Sequence, residues 1–505
     1  LGKCITKSKV DKLLEIKNTN QAGYGECIYR AMLKRADHIE LKDNMVKLLN
    51  EDNIDNKFYA AWYLSRTIYP INSENFKEIL KLNTYPEPWS MPMPLMVALG
   101  KATLNKRDSL IVRDNLISNI FVDKDQKFKD GGLKTVVSFR TFILKKFNFD
   151  STDNWLELNA NGITYPPIQL AYSEFISKNC KVFKKYSNLT YGPAIVNILK
   201  NPECKNFSLK LPVTNTIYDK IWNLQLLETS YQNYPIINNI LMQTESPAVK
   251  SAATESLIKC RNNKGFPESL VADFNKTIEI LIKDGDEGAL SIIANAILDK
   301  QLGLDSNYRQ LFIEAQSNLN LPQEMEAYID IAKVLAIIHK TDYKKPEPEW
   351  NHAIDWNFVS KIKTDQKIKV TTTQGEFIIQ MNVNEAPGSV ASILKLVDEG
   401  FYNGKFFHRM VPNFVIQGGC PRGDGFGSQE YTIRSEFSSL KYSTGAVGLA
   451  SAGPDTESCQ WFATHCPTPH LDGRYTIIGY VISGMDTVHK LGVGDVILKV
   501  IRVTP

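Results

Sequence analysis

The chain has 505 residues, of which 43% are apolar and 23% charged, and its formal net charge is +4. That length exceeds what one hydrophobic core usually serves, so we expect two or more domains. The charge is too small to indicate a nucleic-acid-binding protein, and no apolar run approaches the roughly 20 residues of a membrane-spanning helix. Because the sequence begins at Leu1, a cleaved secretion signal and a truncated chain are both open. The compartment is therefore open as well: cell envelope, periplasm or secretion after signal removal, and otherwise cytoplasm.

The cysteine pattern argues against a zinc site. Eight cysteines are scattered along the sequence with no C-x-x-C spacing, so we predict no metal, and nothing in the sequence indicates a cofactor. The even number permits disulfides, and the best candidate pair in the early part of the chain is Cys180 with Cys204. For most of the cysteines, buried free thiols are favoured.

The chain up to about residue 340 has apolar positions at helical spacing. One helix is predicted to start with Ser246 as its N-cap and Pro247 as its first residue, and 286–299 carries a similar apolar stripe. Pairs of such segments form hairpins of about 40 residues, the period of HEAT and armadillo arrays. We expect an all-α, HEAT-like or armadillo-like solenoid domain over residues 1–340, with an irregular helical domain as the alternative.

Residues 341–366 change in character. The segment 344–350 is polar and contains two prolines, each of which disfavours helix at the preceding residue. This pattern predicts an extended linker. The apolar residues Ile354, Trp356 and Phe358 suggest that the second half of the linker packs onto a domain.

The last part of the chain has the period of β-strands. From Ile368 onward apolar and polar residues alternate, and a turn at Gln374 predicts a hairpin. One helix is predicted to begin near Pro387 and a second to cover 485–491, with further short strands between Gly-rich turns. Many short strands with two helices predict a closed antiparallel barrel as the domain over 367–505.

The run 406–419, FFHRMVPNFVIQGG, is the most informative segment. It places a guanidinium (Arg409), an aromatic ring (Phe414) and a carboxamide (Gln417) close together on a strand-like run. No acid–base pair, nucleophile or metal-ligand set accompanies them. A cation that does not titrate, beside an apolar ring, suits a substrate that is gripped and twisted rather than cleaved. Taken alone, Arg409 is more typical of a structural cation–π or ion-pair residue than of a catalytic one.

Four motifs in order carry a resemblance to a known family: 407–419, LASAGPDT at 449–456, SCQWF at 458–462 and LDG at 471–473. Together they resemble the cyclophilins, the cyclosporin-binding peptidyl-prolyl cis/trans isomerases. The resemblance implies an eight-stranded barrel capped by two helices, with its site on the outer surface and Pro-containing polypeptides as clients. It implies catalysis by Arg409, Phe414 and Gln417. The substrate-binding residues it implies are Val415, Ala450, Ser451, Ala452, Gln460, Phe462, Leu471, His470 and Tyr475.

The chemistry of proline isomerisation fits these residues. Rotation about an X–Pro bond crosses a barrier of about 18–20 kcal/mol because the amide is conjugated. In the twisted state the prolyl nitrogen is pyramidal and has a usable lone pair. A donor such as Arg409, aimed at that lone pair, binds the twisted state better than the planar one. Gln417 can hold the carbonyl group or the head of Arg409.

Three positions depart from the family pattern. His470 stands where the family often has Trp, Tyr475 where many members have His, and Val415 where Met is frequent. The indole usually supplies a hydrogen bond to cyclosporin, so the resemblance implies weak binding of the drug. Activity is expected to survive, because Tyr475 can still form a pocket wall and Val415 is a tolerated change of volume.

Other interpretations stay open for several features. The barrel can bind Pro-containing segments without turnover, or the helical array can be the primary scaffold for a protein partner, with the isomerase as an accessory. We predict no nucleic-acid partner and leave the oligomeric state open. We interpret the Gly-rich run 423–427 as a turn rather than a phosphate-binding loop, because no Lys-Ser/Thr follows it. His408, next to Arg409 on a strand, is favoured as a structural residue over a general base.

Overall fold

The computed structural model describes residues 29, 54–66, 76–77, 98–99, 103–112, 165–178, 180, 189–204, 207–303, 308–344, 346 and 349–503. The chain forms two compact units, Leu1–Asp153 and Asn154–Pro505. The second unit includes residues on both sides of the predicted linker, and the division at 341–366 stays a prediction. None of the helices in these ranges is long and apolar enough to cross a membrane.

The described part of the first unit is helical. Helix α1, Ile54–Arg66, buries Trp62, Tyr63 and Leu64. Most of the segments predicted to be helical before residue 165 lie outside the described residues, as do Cys4 and Cys27.

The second unit begins with a series of helices, as the apolar period predicts. They are α2 (Pro166–Lys178), α3 (Gly192–Leu199), α4 (Ile217–Leu227), α5 (Tyr234–Gln243), α6 (Pro247–Arg261), α7 (Val271–Asp284), α8 (Glu287–Leu298), α9 (Tyr308–Asn318), α10 (Met325–His339) and the single turn α11 (Trp356–Val359). Helix α6 starts as predicted, because the Ser246 side chain accepts a hydrogen bond from the Val249 amide and Pro247 follows it. Asp286 caps α8 in the same way through the Ala289 amide.

These helices pack in two rows. Helices α4, α6, α8 and α10 contact one another in succession, while α7 and α9 contact each other and pack on α8 and α10. The rows share one apolar core, in which Leu257, Ile293 and Val334 are fully buried. A continuous core of this kind holds neighbouring helices at fixed positions from α4 to α10.

Eight antiparallel strands follow the helices. They are β1 (Lys367–Thr372), β2 (Gly375–Met381), β3 (Phe407–Val411), β4 (Val415–Gly418), β5 (Ala446–Leu449), β6 (Trp461–Thr464), β7 (Ile477–Ser483) and β8 (Ile497–Val503). Two helices accompany them, α12 (Pro387–Asp398) and α13 (Met485–Lys490). The strand order is β3-β4-β6-β5-β7-β2-β1-β8 in one curled sheet. Next to its two edge strands, Phe406 pairs with Val496 in an antiparallel bridge.

The second half of the linker packs onto the sheet and its two helices, residues 367–503, which together are called the sheet unit. The amides of Asn351 and His352 donate to the Thr432 carbonyl oxygen at 3.2 Å each. Phe358 lies under the Lys395 ammonium, 5.3 Å from the ring centroid.

One apolar residue of that half does not pack as predicted. Trp356 is 61% exposed, so the prediction for this residue was wrong. The alternating apolar spacing fits a strand, whereas α11 is a turn of helix that directs this ring into solvent.

The cysteine predictions are confirmed for the described residues. Cys180 and Cys204 form a disulfide with their Cα atoms 5.2 Å apart. The remaining described cysteines are buried free thiols: Cys260, Cys420, Cys459 and Cys466.

An aromatic contact joins the helices to the sheet. The Tyr218 ring on α4 stands edge-on to Phe406, with 5.2 Å between centroids, and its hydroxyl donates to the Gly423 carbonyl oxygen at 3.1 Å. The Tyr191 hydroxyl accepts a hydrogen bond from the Val493 amide at 3.0 Å. One of these contacts involves Phe406, a residue of the bridge between the sheet edges, and another involves Val493, three residues before its partner Val496.

A buried ion cluster forms the second contact between helices and sheet. Arg422, in the loop after β4, reaches Asp286 at 3.0 Å, Asp424 at 2.9 Å and Glu287 at 3.4 Å. The Ser251 hydroxyl on α6 donates to Asp424 at 2.8 Å. All three carboxylates are at most 10% exposed, so water compensates their charges poorly. Arg422 is the cation that contacts all three.

Replacing Arg422 with Ala should destabilise the second unit strongly. The variant leaves the buried carboxylates of Asp286 and Asp424 without a counter-ion, which typically costs about 3–5 kcal/mol. Chemical denaturation followed by circular dichroism measures the loss. Arg434→Ala, at an exposed arginine of the same sheet unit, is the control and should change the free energy of unfolding by less than about 0.5 kcal/mol. Equal effects of the two variants would contradict the importance of the cluster.

Glu287 should make stability depend on pH. Burial raises its pKa to about 8, although neighbouring Arg422 opposes the rise. An unfolded Glu has a pKa of about 4.3. Between these two values the folded chain holds a proton that the unfolded chain releases, so the free energy of unfolding falls as pH rises.

The variant Glu287→Gln should flatten this slope between about pH 5 and pH 8. Denaturation at both pH values measures it. The control is Glu314→Gln, at an exposed residue of α9, which should keep the slope of the unsubstituted chain. The interpretation is wrong if Glu287→Gln has that same slope.

Candidate active site

The predicted catalytic side chains lie on neighbouring strands of the sheet. Arg409 on β3 pairs with Gln417 on β4, and Gln417 pairs with Phe462 on β6. Directly opposed residues of antiparallel strands have Cβ atoms about 4.5–5.5 Å apart. The short hairpin between β3 and β4, in which Asn413 has a φ of 59°, makes this proximity a local consequence of the sequence.

A row of hydrogen bonds connects the polar side chains. Arg409 Nη1 donates to Gln417 Oε1 at 3.4 Å, and Gln417 Nε2 donates to Gln460 Oε1 at 3.0 Å. Gln460 Nε2 donates to the carbonyl oxygens of Gly425 and Gly427, at 2.7 Å each. Partial burial lowers the pKa of Arg409, but the guanidinium stays charged at neutral pH. The row therefore holds both glutamines in place and ends in a charged donor.

An apolar slot lies beside the polar row. Val415, Phe462 and Leu471 are buried, and Phe414 and Tyr475 pack against them. The Phe462 ring stands edge-on to Tyr475, with 6.0 Å between centroids. Aromatic and aliphatic walls of this kind favour a compact apolar ring over water.

The row and the slot open into one cavity of about 560 Å³. Every sequence-predicted site residue except His470 lines it: Arg409, Phe414, Val415, Gln417, Ala450, Ser451, Ala452, Gln460, Phe462, Leu471 and Tyr475. His470 instead stacks on Phe414, with 5.3 Å between ring centroids and 26° between planes. It therefore supports one wall of the slot.

Sequence reasoning missed another part of the wall. The further lining residues are Pro322, Gln323, Met325, Glu326, His408, Asp424, Gly425, Phe426, Ser428, Thr456 and Ser458. The run 423–427 is a turn as interpreted, with φ of 82° at Gly423 and 97° at Gly425, a conformation that favours glycine. No local sequence pattern could place the residues 322–326 in this wall. Their contact with the sheet unit is long-range, because Gln323 and its hydrogen-bond partner Ser428 are 105 positions apart.

His408 lines the cavity without the properties of a general base. Burial lowers its pKa to about 4, so the imidazole is neutral at physiological pH. A ring with so low a pKa is a poor proton acceptor at neutral pH. This agrees with the preference for a structural His.

The sheet unit matches a known family in sequence. The family described as "Cyclophilin type peptidyl-prolyl cis-trans isomerase/CLD" matches residues 367–503. Peptidyl-prolyl cis-trans isomerase B of Bacillus subtilis (strain 168) is 47% identical over 120 residues, which are 23% of this chain and 83% of that protein. A peptidyl-prolyl cis-trans isomerase of Synechococcus elongatus is 41% identical over 135 residues, or 26% of this chain and 93% of that protein. Peptidyl-prolyl cis-trans isomerase ppi1 of Schizosaccharomyces pombe is 39% identical over 130 residues, or 25% and 84%.

The cavity lies on the curled antiparallel sheet that carries the family match. The chain belongs to the family of cyclophilin-type peptidyl-prolyl cis-trans isomerases, and 367–503 are the residues that carry the match. The matched relatives consist mostly of this unit, whereas here a helical region precedes it.

Changing His470 to Trp should increase cyclosporin binding. The indole restores the hydrogen-bond donor that the resemblance attributes to the family, and one such bond is worth about 1 kcal/mol, or about fivefold in affinity. Calorimetric titration measures both affinities. Tyr475→His, which restores another family residue without an indole, is the control and should bind the drug no more tightly than the unsubstituted chain. Unchanged affinity in His470→Trp would show that the indole position does not limit binding.

Proposed function

We propose that the chain catalyses cis/trans isomerisation of X–Pro bonds in polypeptide clients and that the 560 Å³ cavity is its active site. The observation that carries the proposal is the position of a fixed guanidinium, Arg409, at the end of a glutamine row beside an apolar slot. The family relationship adds to it.

The slot would bind the proline ring. Phe462, Leu471 and Val415 supply apolar surface, and Phe414 closes one side against His470. Fixing the ring leaves the acyl side of the bond free to rotate. The dry wall also disfavours the more polar planar amide relative to the twisted one.

Arg409 would stabilise the twisted bond. Its guanidinium donates to the lone pair of the pyramidal prolyl nitrogen, an interaction that the planar ground state does not offer. Gln417 restrains the guanidinium, and Gln460 restrains Gln417. A donor that is already in position needs little reorganisation when the bond twists.

The segment 450–452 would hold the client's backbone. Ala450 donates its amide to the Gln460 carbonyl oxygen at 3.0 Å, and the Ala452 amide donates to Thr456 Oγ1 at 2.9 Å. The segment directly follows β5 and lines the cavity. An extended client can run beside it and exchange main-chain hydrogen bonds.

The helical region would serve as a HEAT-like or armadillo-like scaffold. The succession of α4, α6, α8 and α10 with a second row behind it supports a stacked array, whose exposed face suits a protein partner or the remainder of a client. The division into a helical domain (1–340), a linker (341–366) and an isomerase barrel (367–505) belongs to the same proposal.

Replacing Arg409 with Ala should lower the rate of proline isomerisation about 100-fold, the typical effect of removing one fixed transition-state donor. Arg409→Lys keeps the charge but loses the planar fork, so we expect an intermediate rate. Exchange spectroscopy by nuclear magnetic resonance on an X–Pro peptide measures the rates.

The control is Arg434→Ala, which should keep the full rate because Arg434 does not line the cavity. Equal, near-background rates for the unsubstituted chain and Arg409→Ala, with peptide binding retained, would instead support the alternative of a proline-peptide-binding module without turnover.

A further inference from the structure

We propose that the helical segment 322–326 is a second wall of the active site, and that it selects clients with Lys or Arg within two or three residues of the isomerised proline. The inference rests on the proposed function, because it concerns the cavity assigned to proline isomerisation. Its recognition element is the Glu326 carboxylate.

The helical segment and the catalytic row share one cavity. Pro322, Gln323, Met325 and Glu326 line the same space as Arg409. The segment lies immediately before α10 and in its first turn, so its position is set by the helical core rather than by the sheet. A client that enters the cavity therefore meets both parts of the unit.

Hydrogen bonds hold the segment against the loop that supports Gln460. The Ser428 hydroxyl donates to the Gln323 carbonyl oxygen at 3.1 Å, and Gln323 Nε2 donates to the Ser428 carbonyl oxygen at 3.5 Å. The same loop accepts the Gln460 amide through Gly425 and Gly427. Only a short loop thus separates the second wall from the catalytic row. Because an extended chain advances about 3.3–3.6 Å per residue, client residues close to the proline reach this wall.

Apart from Arg409, the charged residues that line the cavity are acidic, namely Asp424 and Glu326. Asp424 faces the cavity, and its guanidinium partner Arg422 is shared with Asp286 and Glu287. Glu326 adds a carboxylate for which the described residues show no hydrogen bond or ion pair.

Glu326 lines the cavity and is exposed to solvent, so a client side chain can reach it. Loss of hydration in the folded chain and then the charge of Asp330 raise its pKa, and Lys333 opposes the rise. A client cation would add to the attraction that Lys333 supplies and would offset the repulsion from Asp330 and Asp424. A client anion would add to that repulsion.

The cavity lining carries charges of both signs, a guanidinium at Arg409 and a carboxylate at Glu326. Arg409 is the cation at the catalytic end, and the neighbouring His408 is neutral because burial lowers its pKa to about 4. A Lys or Arg of the client is repelled by Arg409 and attracted by Glu326. The cationic side chain therefore belongs at the helical wall while the proline lies in the slot.

The experiment uses the full chain and matched X–Pro peptides that carry one Lys, Gln or Glu at each of three positions on either side of the bond. Exchange spectroscopy gives isomerisation rates, and titration gives dissociation constants. We expect a Lys peptide to be favoured over its Glu counterpart about two- to fivefold at one of these positions, the scale of a solvent-accessible ion pair, and less at high salt. Glu326→Gln should bring this ratio close to one, and Glu326→Lys should invert it.

Glu314→Gln is the matched control, because Glu314 lies on α9 outside the cavity and the ratio should be unchanged. Equal rates and affinities for Lys and Glu peptides at every position would overturn the inference, as would a Lys preference that persists in Glu326→Gln. If the chain accelerates no peptide, the proposed isomerase function fails, while the Lys-to-Glu ratio of dissociation constants still decides the role of Glu326.

Discussion

The arrangement of the residues that line the cavity depends on one shared guanidinium. Arg422 lies between Asp424 of its own loop and Asp286 at the N-cap of α8. Without it, carboxylates from the helices and from the sheet would face each other in a buried space. The loop that it fixes accepts both hydrogen bonds that Gln460 Nε2 donates. The ion pairs that join helices to sheet therefore also restrain the row of side chains that ends at Arg409.

The cluster contributes geometry more than stability. Desolvation of buried charges offsets much of their attraction, so replacing such a cluster by apolar residues is often neutral or stabilising. What apolar residues do not supply is a fixed distance between two elements. Gly288 belongs to this geometry, because a Cβ atom there would collide with the Ser251 hydroxyl and press on Arg422. The close approach of α6, α8 and the loop thus requires both a glycine and a shared cation.

Local patterns predict the catalytic half of the site and fail for the other half. Arg409 and Gln417 are eight residues apart on a hairpin, so strand period and turn chemistry are sufficient to place them together. Glu326 reaches the same cavity only because α10 packs on α8, a non-local result that no periodicity encodes. Trp356 is a local pattern that misleads. Its apolar spacing predicts packing onto a domain, but the residue lies in a turn of helix that exposes it to solvent. The fold class follows from the period of apolar residues in the sequence. The contact between the helices and the sheet depends instead on complementary side chains from distant parts of the chain.

The second wall lies outside the part of the chain that the matched relatives share. The alignment with the Synechococcus elongatus protein covers 93% of its length, which leaves little chain for a further wall. A sheet-borne pocket open on one side binds a proline and few of its neighbours, so its selectivity is limited to contacts near the ring. Here the start of α10 also lines the cavity, so under the proposed function additional client residues would be desolvated together with the proline. Binding energy from those residues can then be used to orient the bond against Arg409, which is how remote contacts raise a rate as well as an affinity.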